Sequence, residues 1–156
     1  MNIYTVSFFG HRYIDSSLNG SRSKQVKIAV PSYQEVNILF LRYQVMQELV
    51  KAVFYLRSTL YGYGYGNTHF TLVLPYMKAE YRDNEKEYLD YYDEVEICAE
   101  SSEAHPKSAI QVRNRSMIDR ADLVVCCIQH KSGGAYATIR YAEKQSKKIV
   151  NLADEN

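Results

Sequence analysis

The residues best suited to chemistry in this sequence are Ser132, Gly133 and Gly134, which follow an apolar run and precede an apparent helix. Glycines at such a place let the backbone approach a ligand closely, since they have no side chain. The first N–H groups of a helix have no partner within the helix and attract an anion, most often a phosphate. The pattern therefore predicts a phosphate-binding loop.

A second segment, formed by Gly10, His11 and Arg12, follows the apolar amino-terminal run. Arg12 could grip a phosphate through two parallel hydrogen bonds, and His11 could donate one more. The alternative is structural: Gly10 makes a turn, Arg12 pairs with a neighbouring acid, and His11 caps a carbonyl. Gly10, His11 and Arg12 are therefore all candidate ligand-binding residues.

Further candidates lie between these two segments. Pro75 closes an apolar run, and Arg113 and Arg115 could add positive charge if their helix points to the same place. A reaction would also need a general base, for which Asp119, His130 and Glu80 are weak candidates. Asp119 could instead cap a helix or pair with a neighbouring arginine.

The elements that must position these residues alternate along the chain. Apolar runs predict six strands: Ile3–Phe9, Val36–Leu41, His69–Leu74, Val95–Cys98, Leu123–Ile128 and Lys148–Leu152. Helical spacing predicts helices at Gln44–Leu60, Lys107–Arg120 and Ala135–Gln145, with short ones near Lys24–Val30 and from Asp83. This alternation predicts an α/β fold, a Rossmann-like three-layer sandwich with a mostly parallel sheet and helices on both faces. Residues 1–156 would form one domain.

Composition narrows the function classes. A net charge of +1 over 156 residues argues against a nucleic-acid track, which requires clustered cations. Cys98, Cys126 and Cys127 fit core thiols better than a disulfide framework, and no metal-ligand spacing is present. No apolar run reaches the roughly 18 residues that span a bilayer, and no basic leader opens the chain. We expect a cytoplasmic protein that requires no cofactor.

Four segments also carry a family resemblance: SFFGHR at the start, VLPY at Val73–Tyr76, RNRSMIDRADLVV from Arg113 and HKSGGAYATIRYA from His130. Together they resemble the YpsA-like branch of the SLOG superfamily, bacterial Rossmann-like relatives of the lonely-guy phosphoribohydrolases and of DprA. The similarity covers roughly residues 1–15 and 67–153. It implies a pocket for a nucleotide or an ADP-ribose-like ligand, with the GHR turn, the Gly-Gly loop and the RNRxMxD segment around it.

The sequence also departs from that family. The phosphoribohydrolase relatives carry a Pro-Gly-Gly-x-Gly-Thr-x-x-Glu loop whose glutamate takes part in catalysis. Placing Gly133 and Gly134 on that pattern puts Tyr136 at the third glycine and Arg140 at the glutamate. A guanidinium cannot serve as that general base. Residues 16–66 also match poorly, since the place after the second strand holds no glycine.

Three hypotheses follow. The first is a sensor or regulatory protein that binds a nucleotide-like ligand without turning it over, with a homodimer compatible with the fold. The second is a nucleotide or nucleoside-phosphate hydrolase that takes its base from elsewhere. The third is a single-strand nucleic-acid or protein interaction module, in which the tyrosines of Tyr61–Tyr65 would stack on bases.

Overall fold

The computed structural model describes residues 3–10, 68–90 and 92–153 in full, together with the backbone of residues 35–40. Within these ranges the chain forms a six-stranded sheet in which all neighbouring strands are parallel. The strands are β1 (Ile3–Gly10), β2 (Glu35–Phe40), β3 (Thr68–Leu74), β4 (Glu94–Ile97), β5 (Leu123–Cys127) and β6 (Lys148–Asn151). The predicted α/β, Rossmann-like architecture is confirmed.

Every predicted strand is present, and no end differs from the prediction by more than one residue. β5 and β6 stop one residue earlier than predicted because the side chain of Asn151 takes over the pairing. Its Oδ1 accepts from the N–H of Ile128 at 2.9 Å, and its Nδ2 donates to the carbonyl of Ile128 at 3.2 Å. A side chain therefore satisfies the backbone groups that a longer ladder would have used.

The described helices are α1 (Ala79–Asp83), α2 (Glu85–Leu89), α3 (Ala99–Ser102), α4 (Pro106–Arg120) and α5 (Gly133–Lys144). The single short solvated helix predicted from Asp83 is wrong in detail: Asn84 separates α1 from α2, and each buries a tyrosine, Tyr81 and Tyr88. α3 was not predicted. The helices predicted at Lys24–Val30 and Gln44–Leu60 lie outside the described residues.

Buried side chains cover both faces of the sheet. Because successive residues of a strand point to opposite faces, Phe8 belongs to one cluster and Phe9 to the other. The first face packs against Tyr81 and Tyr88 of α1 and α2, which meet edge to face at 5.3 Å between ring centroids. The second face packs against α4 and α5 through Met117, Ile118, Ile139 and Ala142. The three predicted layers are thus formed.

The strand order is β4-β3-β2-β1-β5-β6. The chain moves outward from β1 to β4, then returns through α3 and α4 to place β5 on the other side of β1. The order therefore reverses between β1 and β5, and open parallel sheets bind ligands outside the carboxyl ends of the strands at such a point. Both glycine segments identified in the sequence follow these two strands.

The ends of α4 and α5 are fixed by local chemistry. α4 begins with Pro106, and the Nδ1 atom of His105 accepts from the N–H of Lys107 at 3.2 Å. α5 ends in a Schellman motif, in which the N–H of Lys147 donates to the carbonyl of Ala142 at 3.1 Å. Ser146 holds the left-handed position of this motif with φ 54°, where glycine is usual. Both helices thus have defined lengths across the sheet.

Candidate functional site

The candidate site lies at the carboxyl ends of β1 and β5. Gly10, the last residue of β1, is in register with Cys127, the last residue of β5. Five residues separate Cys127 from Gly133, where α5 begins. Since neighbouring strands lie about 4.8 Å apart, Gly10 and the loop before α5 share one small area of the sheet edge. The structure therefore brings Gly10 and the Ser132–Gly134 segment to the same edge of the sheet.

The three glycines of the site differ in how well the backbone and its surroundings would accept a side chain. Gly133 has φ +82°, a conformation that side chains with a Cβ rarely adopt. At Gly134 a Cβ would meet only Nε2 of Gln111, at 2.9 Å, and that flexible side chain can move. At Gly10 a Cβ would meet the carbonyl of Cys127 at an ordinary 3.8 Å. The described part of the fold requires glycine at 133, and it leaves room for alanine at 10.

The first turn of α5 presents exposed backbone to the site. Ser132, Gly133 and Gly134 are all exposed, and Ser132 is extended, with φ −151° and ψ 164°. The Ser132 hydroxyl makes no capping hydrogen bond to α5, although serine is among the preferred capping residues. A bound anion could accept from these N–H groups, where the partial positive charge of the helix end is greatest.

Beneath this turn lies a buried polar network that we call the relay, formed by Arg113, Asn114 and Thr138. The guanidinium of Arg113 donates from Nε and Nη2 to Oδ1 of Asn114, at 3.1 and 3.0 Å. Nδ2 of Asn114 donates to Oγ1 of Thr138 at 2.8 Å, and that hydroxyl donates to the carbonyl of Gly134 at 2.9 Å. All three relay side chains are at least 95 % buried, so the relay is part of the core beneath the site.

The relay also reaches the end of β3. Nη1 of Arg113 donates to the carbonyl of Val73 at 3.2 Å, so one guanidinium joins β3 to the start of α5 through Asn114. Pro75, the residue that follows β3, is buried, and its carbonyl accepts from the hydroxyl of Ser101 in α3 at 2.6 Å. Arg113 and Pro75 are thus both buried beneath the carboxyl edge of the sheet, where their hydrogen bonds hold the end of β3. A direct contact of either with a ligand stays a prediction.

Arg115 and Asp119 of α4 both contact Tyr141 of α5. Arg115 stacks over the ring of Tyr141 with its guanidinium carbon 5.4 Å from the centroid. The Tyr141 hydroxyl donates to Asp119 at 2.9 Å, which raises the pKa of Tyr141, and its partial burial and the Asp119 charge raise that pKa further. Gln111 in α4 contacts Gly134, and Asp119 is eight residues later, about 12 Å along the helix axis. Asp119 therefore faces α5 well below the carboxyl edge.

The other candidate residues are placed as follows. His130 is exposed in the loop between β5 and α5, three residues before Gly133, and its role as a base stays a prediction. Glu80 is exposed in the first turn of α1, which follows β3. His11 and Arg12 lie outside the described residues, and their role stays a prediction. Arg140 is exposed on α5 and pairs with Glu143 of the same helix.

A carboxylate that was not predicted lies beyond β4. Glu100 in α3 accepts from the Cys98 thiol at 3.2 Å and from the Ser116 hydroxyl at 3.5 Å. A hydrogen bond from its own backbone N–H is the largest cause that lowers the pKa of Glu100, and the Cys98 thiol lowers it further. Cys98 itself is fully buried, in keeping with the predicted core thiol. These contacts fix α3 against α4 beside the site.

Gln111 and Thr138 were missed from the sequence, and Asn114 was named only within the RNRxMxD segment, without a buried role. A signal for that buried role was available. The apolar residues Ile110, Met117 and Ile118 mark the inner face of α4, and Asn114 falls at helical spacing from all three, at positions i+4, i−3 and i−4. An amide at a core-facing position needs hydrogen-bond partners, so it indicates a buried network. Thr138 carried no comparable signal, because threonine is common on any helix surface.

Among residues 3–10, 68–90 and 92–153, no group of three or more histidine, cysteine or acidic side chains could hold a metal ion. None of the described helices is both long and apolar enough to cross a membrane. A comparison of the sequence with protein-family models gives no match. A comparison with curated proteins gives no match either.

Proposed function

We propose that this protein binds a nucleotide or a nucleotide-derived ligand, such as ADP-ribose, and acts as a sensor or regulator without turning the ligand over. The observation that carries the proposal is the meeting of Gly10 and the Ser132–Gly134 loop at the point where the strand order reverses. The ligand phosphate would accept from the first N–H groups of α5, with Arg12 as a further donor. This is also the function that the resemblance to the YpsA-like SLOG proteins implies.

The stereochemistry of Gly10 supports a ligand at this edge. A Cβ there would have ordinary space, so packing among the described residues does not explain the absence of a side chain. Close approach of a phosphate to the backbone would explain it. Tyr76 and Met77, 41 % and 55 % exposed, follow β3 at the same edge and could pack against a base. β3 lies three strand spacings from β5, about 14 Å, which suits a nucleotide lying across the edge.

The proposal favours binding over hydrolysis for two reasons. The catalytic glutamate of the resembling phosphoribohydrolases falls at Arg140, a cation paired with Glu143. Asp119, the first alternative base, lies near the end of α4 and accepts a hydrogen bond from the hydroxyl of Tyr141 in α5. From the sequence we also propose a cytoplasmic location and a homodimer.

The test is isothermal titration of the purified protein with AMP, NAD and ADP-ribose, followed by chromatography of the recovered ligand. We expect binding to at least one of the three and recovery of that ligand unchanged. Gly10→Ala should weaken binding at least tenfold while the unfolding midpoint stays the same, since alanine fits there. No binding at millimolar ligand by a protein with a native circular dichroism spectrum would refute the proposal. Release of free base would favour the hydrolase instead.

A further inference from the structure

We propose that Asn114 and Thr138 are positioning residues that set the conformation of the Gly133–Gly134 turn for its ligand. The inference rests on the proposed function, because it concerns the same turn. It adds a pair of buried side chains to a site that had been defined only by exposed glycines. Neither residue needs to contact the ligand, since each acts through the carbonyl of Gly134.

The direction of each hydrogen bond in the relay is fixed. The guanidinium of Arg113 can only donate, so the side-chain atom of Asn114 that faces it must be the oxygen. The amide nitrogen of Asn114 then faces Thr138 and donates to its hydroxyl. The hydroxyl has its own hydrogen left to donate, and the carbonyl of Gly134 accepts it. A single assignment of donors and acceptors therefore satisfies every hydrogen bond from β3 to α5.

The place where the relay ends explains what it does. Gly134 follows Gly133, whose positive φ gives the backbone its left-handed bend. Glycine has unusual freedom in both φ and ψ, so two successive glycines would otherwise sample many conformations. The Thr138 hydroxyl at 2.9 Å and Nε2 of Gln111 at 3.3 Å both hold the Gly134 carbonyl. Holding that carbonyl orients the preceding N–H groups before a ligand arrives, which lowers the entropy lost on binding.

The relay also connects the two ends of the proposed pocket. Arg113 holds the carbonyl of Val73, two residues before Pro75 and three before the exposed Tyr76. The same guanidinium holds Asn114, and through it the turn at Gly134. A purely structural role would require only that these groups have partners. A positioning role predicts in addition that ligand affinity falls when the relay is broken, even in a variant that is as stable as the natural protein.

The test compares Thr138→Val with Thr138→Ser. Valine keeps the branched shape and removes the hydroxyl, whereas serine keeps the hydroxyl. By titration with ADP-ribose, NAD and AMP, we expect Thr138→Val to weaken binding about fivefold to tenfold, and Thr138→Ser to stay within about twofold of the natural protein. Thr138→Ala, in which high helix propensity favours α5, replaces the valine variant if that variant does not fold. Equal affinity in the hydroxyl-lacking variant and the natural protein would overturn the proposal.

A second measurement separates this inference from the proposed function. Hydrogen exchange of the amides at residues 133–136 reports the order of the turn without a ligand. We expect faster exchange in Thr138→Val than in Thr138→Ser and in the natural protein. If the natural protein binds none of the three nucleotides, the proposed function fails, and the exchange data alone decide on the relay. Equal exchange in all three proteins would then overturn it.

Discussion

The side chain of Asn114 is the centre of the relay, and replacing it with leucine should be among the most destabilising changes in α4. Leucine has a similar volume but removes three hydrogen bonds, two of them from the Arg113 guanidinium. Bonds to a charged group contribute about 1.5–3 kcal/mol each, and a neutral one about 1 kcal/mol. These values are not additive when bonds share a residue, so we expect a loss of about 3–5 kcal/mol, as for a buried charge that loses its partner.

The assay is urea unfolding at neutral pH, followed by circular dichroism. With a slope of about 2 kcal/mol per molar urea, the expected loss shifts the midpoint by about 2 M. Gln111→Leu is the matched control, because it makes the same amide-to-leucine change one turn earlier, at a side chain with one bond of 3.3 Å. That control should lose less than about 1 kcal/mol.

A double-mutant cycle tests the cause of the loss. Arg113→Met removes the buried charge, so adding Asn114→Leu to it should cost far less than Asn114→Leu alone. The reasoning would be refuted if Asn114→Leu were no more destabilising than Gln111→Leu, or if the two relay substitutions were additive.

Four further predictions follow from particular residues. Gly133→Ala should destabilise the protein by about 1–2 kcal/mol in urea unfolding because of its positive φ, whereas Gly134→Ala should be near neutral, since alanine favours a helix. Ser146→Gly should raise the unfolding free energy by about 0.5–1 kcal/mol, because glycine adopts the left-handed position without strain. Glu100→Gln should lower the urea midpoint at pH 7, and this difference should shrink as the pH falls below the unfolded pKa of the glutamate. The lowered pKa of Glu100 gives stability that is present above its unfolded pKa, about 4.3, and lost as the pH falls through the folded value. Asp119→Asn should leave nucleotide affinity unchanged by titration, since it is about 12 Å along α4 from the residue that contacts Gly134.

Each of these predictions has an outcome that would contradict it. Equal effects of alanine at positions 133 and 134 would mean that the positive φ is not needed. A loss of stability in Ser146→Gly would mean that the serine side chain makes a contribution larger than the strain. A midpoint difference between Glu100→Gln and the natural protein that does not shrink as the pH falls would assign the effect to packing. Weakened binding in Asp119→Asn would place that carboxylate in the site.

The six strands could be predicted from the sequence because local patterns specify them. β5 is a continuous apolar run, which suits a sheet covered on both faces, and β1 and β3 are rich in β-branched and aromatic residues; the ends of all three were correct to within one residue. The short helices were harder. α1 and α2 are each five residues long and depend on burying Tyr81 and Tyr88 against the sheet, a contact that no local pattern reveals.

The sequence by itself determined that the chain is an α/β protein and that Gly10, Gly133 and Gly134 follow parallel strands. These features depend on neighbouring residues, on apolar periodicity and on the conformational freedom of glycine. Only the tertiary structure decided that β1 and β5 are adjacent, that Arg113 is buried, and that Asn114 and Thr138 join β3 to α5. The hydrogen bonds of Arg113 to Val73 and of Asn114 to Thr138 link residues 40 and 24 positions apart, and they exist because buried donors must find acceptors once the core has formed.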